Sequence, residues 1–183
     1  MEDLKTPEVI YESNEPFMPT AIRWGLISAG VSIVYALVAN LLGLSTSQTT
    51  LNTIIGLVIV GVISYLCVKS HKEELGGFIS FGRAFLVSFI ALLISGLISS
   101  IFNFIYMNYI DPTMMDQILE MSQGMYESMG FTEDQIEMAL EEAKKGMENP
   151  ISIVWGIVGV GIFAAIIALI TAALMKDERP AGY

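Results

Sequence analysis

Carboxamides and hydroxyls do specific work where water does not compete for them, and in this chain they recur at helical spacing inside long apolar stretches. Ser28, Ser32, Ala36 and Asn40 form one row, and Ala91, Ser95, Ser99 and Asn103 form another. Positions four apart stack on one face of a helix, so each row of small residues ends on an asparagine. Asn40, Ser95, Ser99 and Asn103 are the candidate polar cluster. Such groups both donate and accept hydrogen bonds. No serine in these stretches has a His or Lys beside it, no carboxylate pair accompanies them, and no glycine-rich phosphate loop follows a strand. Catalytic residues, cofactors and a metal are therefore not expected, and neither is an enzyme.

Packing accounts for much of the same pattern, because small residues let helix backbones approach closely in lipid. The asparagines exceed that need. An interhelical hydrogen bond in a membrane averages about 0.6 kcal/mol, too little for stability alone to demand them. Asn40 and Asn103 are expected either to bond across helices or to line a polar vestibule.

Soft thioethers raise a second chemistry. Seven of the eleven methionines lie between residues 111 and 149, and thioethers can ligate Cu(I). No histidine or cysteine supports a site there. Met114, Ile118, Met121, Met125 and Met129 instead recur at helical spacing as one apolar stripe, the contact face that an amphipathic helix needs. The acidic residues Glu133, Asp134, Glu137, Glu141 and Glu142 read as a solvated face.

The elements that must position these residues follow from hydropathy. Of 183 residues, 54% are hydrophobic and only 15% charged, against about 25% charged in a soluble domain. The apolar residues come in blocks, and about 20 of them cross a bilayer core as a helix. Four spans are expected, at about 20–44, 51–68, 84–110 and 151–175. The fold class is all-α: four transmembrane helices with an external helical hairpin at 111–149, between the third and fourth. Residues 1–19 form an acidic tail and 177–183 a second tail. A lone cysteine, Cys67, excludes an intramolecular disulfide. A net charge of -10 argues against nucleic acid.

Lys and Arg near span ends set orientation. With the N-terminus inside, the cytoplasmic segments hold Lys5, Arg23, Lys69, Lys72, Arg83, Lys176 and Arg179, and the external ones only Lys144 and Lys145. Both termini are expected in the cytoplasm, and Ser45–Thr50 makes a tight external turn. The link between the second and third spans, KSHKEELGGFISFGRAF, has a polar half (Lys69 to Glu74) expected to be solvated, His71 included. Gly76 and Gly77 break the helix. Phe78, Ile79 and Phe81 are then expected to lie in the headgroup layer as an interfacial elbow, with Arg83 anchoring the third span at phosphate level. In the hairpin, Gly130 stops the first helix, Thr132 and Gln135 stand in capping-box register, and Ile136, Leu140, Ala143 and Met147 face one way. The hairpin is expected to fold down over the bundle with the methionine stripe inward.

The elbow GGFISFGRAF, the run LISGLISSIFNFIYMNYIDP, the acidic Met-rich segment and the ending AALMKDERP together resemble an uncharacterised bacterial membrane family, domain of unknown function 4199. The resemblance runs from about Ile22 to Lys176. It implies a small integral protein of the bacterial cytoplasmic membrane and lends no catalytic residues. The function expected is non-enzymatic, an interaction or scaffold protein whose partners are the lipid bilayer, a second copy of itself or another membrane protein. The alternative is an oligomeric channel or carrier subunit.

Overall fold

The computed structural model describes residues 16–43 and 49–177. The expected external turn and the outer parts of both tails lie outside the described residues. Among the described residues six α-helices follow one another: α1 (Met18–Leu41), α2 (Thr49–Glu74), α3 (Phe81–Ile105), α4 (Thr113–Ser128), α5 (Glu133–Glu148) and α6 (Ser152–Met175), with a π-helical turn at Tyr106–Ile110 extending α3. Four of them are long and apolar enough to cross a membrane: α1, α2, α3 with its π turn, and α6. Helices are what lipid permits, since each backbone donor and acceptor must find its partner inside the segment.

Helix α3 is the axis of the bundle. It packs most extensively against α6 and α1, while α2 touches all three. Two glycines permit the close crossings. A Cβ on Gly25 would stand 2.9 Å from both the Ala91 carbonyl oxygen and Ile94 Cβ, and a Cβ on Gly96 would overlap Val160. Small side chains fill the seams: Ala21, Cys67, Val68, Ala84, Val87, Ala91 and Ala172 form one buried cluster. Buried hydroxyls cross-link the same seams. Thr171 donates to the Ile167 carbonyl at 2.9 Å, so its oxygen is left to accept from Ser64 at 2.8 Å. Ser64 in turn accepts from Ser88 at 2.6 Å. That chain joins α3, α2 and α6. Ser95 donates to Ser28 at 2.9 Å and joins α3 to α1.

The link between α2 and α3 departs from expectation in three ways. First, α2 continues past Val68 to Glu74, and His71 within that added stretch is fully buried rather than solvated. Second, Ile79 is buried within the protein, 2% exposed, beside Ala21, Cys67 and Ala172. Its apolar surface is covered by the bundle and not by headgroups, because a backbone bridge holds it there. The Ile79 N–H donates to the Asp177 carbonyl and the Asp177 N–H to the Ile79 carbonyl, both at 3.0 Å, and Lys72 Nζ binds Asp177 Oδ2 at 3.0 Å. Third, Arg83 turns to His71. Phe78 is half-buried, and Phe81 is exposed. The chain reverses on Gly76 and Gly77, at φ +81° and +97°, where a side chain would be strained. Ser80 then caps α3 by accepting from the Arg83 N–H at 3.4 Å.

Helices α4 and α5 pack against each other across a turn at Gly130 (φ +84°), with the Thr132 N–H donating to Gln135 Oε1 at 3.0 Å. The inner face of α5 is Ile136 with Leu140, Ala143 and Met147. The methionine stripe of α4 is not its inner face. Met121, Met125 and Met129 are exposed; Met115 is buried, and Met114, Ile118, Leu119 and Tyr126 are half-buried. Tyr126 packs tilted against Phe131, ring centres 5.5 Å apart, on the half-buried face of α4 rather than on the stripe.

Candidate functional site

The two rows of small residues put their asparagines at the same end of the bundle, here called the loop end because α4 and α5 join it there. Between α1, α3 and α6 lies a cavity of about 350 Å³ lined by Ser32, Ala36, Asn40, Gly96, Ser99, Asn103 and Tyr106 among others. Three of the four residues of the candidate polar cluster, Asn40, Ser99 and Asn103, therefore face one space. Ser95 does not; it lies one turn deeper, spent on Ser28.

These groups differ in how far the protein satisfies them. Asn40 Nδ2 donates to the Tyr106 hydroxyl at 3.3 Å and, more weakly, to Asp111 Oδ2 at 3.5 Å. Asp111 Oδ1 accepts from the Thr113 hydroxyl at 2.5 Å, so both its oxygens are engaged. Ser99 Oγ is buried and has no hydrogen-bond partner among the described residues, a condition it shares with Trp24 Nε1. A helical serine usually relieves such burial by bonding the carbonyl four residues back, as Ser122 does to Ile118 at 2.8 Å. Ser99 forgoes that bond. An unmet buried hydroxyl costs about 1–3 kcal/mol. Asn103 is exposed within a stretch of α3 whose neighbours Ile101 and Ile105 are also exposed. A second space of about 590 Å³, between α3, α5 and α6, is lined by Ser100, Asn103, Asn108, Met147 and Trp155 among others. Ser100 and Asn103 line both spaces.

The opposite end, called the elbow end, holds a polar cluster that the sequence did not single out. Arg83 Nε–H donates to His71 Nε2 at 3.1 Å. That nitrogen therefore holds a lone pair, and the ring proton sits on Nδ1, which faces Glu74 Oε2 at 2.9 Å. The same carboxylate oxygen accepts from the Thr20 hydroxyl at 2.6 Å. The chain Arg83–His71–Glu74–Thr20 thus ties α3, α2 and α1 together. A lone His between Lys69 and Lys72 gives a solvated pattern by composition; only the helical continuation of α2 turns it inward.

The acidic face of α5 is solvated where it is described. Glu141 and Lys145 pair at 2.7 Å with both side chains exposed, and the ammonium holds the Glu141 carboxyl below the usual carboxylate range by hydrogen bonding and charge. Among the described residues no three His, Cys, Asp or Glu side chains gather to hold a metal ion.

The fold, with four helices long and apolar enough to cross a bilayer, is that of a multi-pass helical membrane protein. More narrowly, the chain belongs to the family described as protein of unknown function DUF4199, whose model matches residues 23–177. No curated protein matches the chain, and no solved structure does.

Proposed function

We propose that this is a non-enzymatic protein of the bacterial cytoplasmic membrane, with both termini in the cytoplasm, that works by binding within the bilayer. It is an interaction or scaffold protein, and its partners are lipid, a second copy of itself or another membrane protein. One observation carries the reading. At the loop end Ser99 and Asn103 line a cavity, Asn103 exposed and Ser99 Oγ buried with no partner among the described residues, whereas Ser28, Ser64, Ser88 and Thr171 are bonded across helices. The orientation rests on seven Lys and Arg against two. A carrier or channel subunit is the second reading, favoured by the sharing of Ser100 and Asn103 between spaces on two sides of α3.

Purification of the full chain and of Ala36→Phe from native membranes, beside a liposome flux assay, tests both. The binding reading expects a membrane component recovered with the wild-type chain, lost with Ala36→Phe, and no flux. Flux that Ala36→Phe blocks would replace it with the carrier reading. For orientation, after Cys67→Ala, a cysteine at Gln123 should label in intact cells and one at Glu73 should not. The reverse pattern inverts the topology.

A further inference from the structure

We infer that the loop-end cavity is a binding site for a neutral, hydroxyl-bearing amphiphile that enters sideways from the lipid, of the class of a diacylglycerol or a long-chain alcohol. The inference rests on the binding function proposed above and adds the class of ligand. Four features select it. The cavity has no charged side chain in its lining, so an ionic headgroup would be desolvated without a counter-charge. The nearest carboxylate, Asp111, is engaged by Asn40 and Thr113 and discourages an anion further.

The vacant hydrogen-bonding groups offer both senses. Ser99 Oγ and the Asn103 carboxamide each donate and accept, and a ligand hydroxyl is the neutral group that answers both at one atom. Asn103 is the more accessible of the two, exposed beside the cavity; Ser99 lines it with a buried hydroxyl that has no partner among the described residues. The mouth faces lipid: Ala36 and Asn103 line the cavity and are exposed on two apolar spans. A volume of about 350 Å³ takes a small headgroup and the first carbons of its chains, the tails remaining outside past Ala36. The apolar part of the lining, Ile33, Leu37, Phe102 and Val160 among it, suits those carbons.

The test uses the full chain in phosphatidylcholine nanodiscs doped with dioleoylglycerol, with its acetylated analogue that lacks the hydroxyl, or with phosphatidylglycerol. Native mass spectrometry then reads the lipid retained on the protein. Dioleoylglycerol should be retained over both others, and Asn103→Leu, an exposed position that leaves folding intact, should lower retention about tenfold. Ala36→Phe should abolish it, and Ser122→Ala, on α4, should not change it. Equal retention of dioleoylglycerol and its acetylated analogue overturns the hydroxyl requirement, and preferred phosphatidylglycerol overturns neutrality. Protein dimers in place of a lipid adduct would mean that a second copy covers the face. If dioleoylglycerol is not retained while Ala36→Phe still loses its membrane component in the purification above, the ligand class falls and the binding function stands. If neither effect appears, both fall.

Discussion

At the elbow end Arg83, His71, Glu74 and Thr20 are bonded to one another, while at the loop end Asn103 is exposed beside a cavity and Ser99 Oγ is buried with no partner among the described residues. Both ends carry polar groups at the borders of the same helices, yet they serve different purposes. A buried polar group that is satisfied rigidifies the structure, and one left unmet calls for an explanation; the elbow end holds one as well, Trp24 Nε1, packed against the Ala21–Cys67–Ile79 cluster and lining no described cavity. The elbow end is closed: the Ile79–Asp177 bridge and the Lys72–Asp177 pair bring the end of α6 against the α2–α3 link. The loop end is left open at Ala36 and Asn103. Hydrogen bonds close one end, and a cavity is left at the other.

The largest test of that contrast is His71→Ala. It leaves the Arg83 and Glu74 groups without their common partner and empties a fully buried position. Unfolding in mixed micelles should show a loss of about 2–4 kcal/mol. A change indistinguishable from zero would mean that the elbow end is not held by this cluster.

Next in size is Gly96→Ala, which probes the crossing between the two ends. Its methyl would overlap the β-branched Val160, whose position on α6 gives little room to move. The expected cost is about 1–3 kcal/mol, typical of overpacking, and the cavity should change with it because Gly96 and Val160 both line it. A neutral result would show that α3 and α6 slide past one another freely, and the loop end would then not be preformed.

The smallest effect belongs to the loop end itself. Asn103→Leu, which removes an exposed amide, should change stability by no more than about 0.5 kcal/mol, and Ser99→Ala should raise it by about 1 kcal/mol as an unmet buried hydroxyl is removed. A loss as large as that of His71→Ala would erase the contrast between the ends and make Asn103 a structural residue.

Much of the architecture was legible in the residues. Solid apolar blocks gave the four spans within a few positions at most ends. Gly76, Gly77 and Gly130 marked reversals that need positive φ, and Thr132 with Gln135 marked the start of α5. The row spacing put Ser99 and Asn103 on one face of α3; that Asn40 of α1 lines the same cavity is a matter of helix packing. What misled was rotation and reach: the methionine stripe that faces outward, the end of α2, and the burial of His71 and Ile79.

By itself, then, the sequence determined that this chain forms long apolar helices, where they break, and which polar residues share a helix face. Those properties are local: they depend on runs of hydropathy, on backbone freedom at glycine and on a period of 3.6 residues per turn. Only the tertiary structure decided which faces meet. In a span the lipid is as apolar as the protein interior, so inward and outward faces carry nearly the same residues and periodicity does not distinguish them. The pairing of Ser64 with Ser88 and Thr171, the turn of Arg83 onto His71 and the unmet hydroxyl of Ser99 each join or separate residues far apart in the chain. They follow from how close the helices approach at Gly25 and Gly96, a property of pairs of helices that no single stretch of sequence contains.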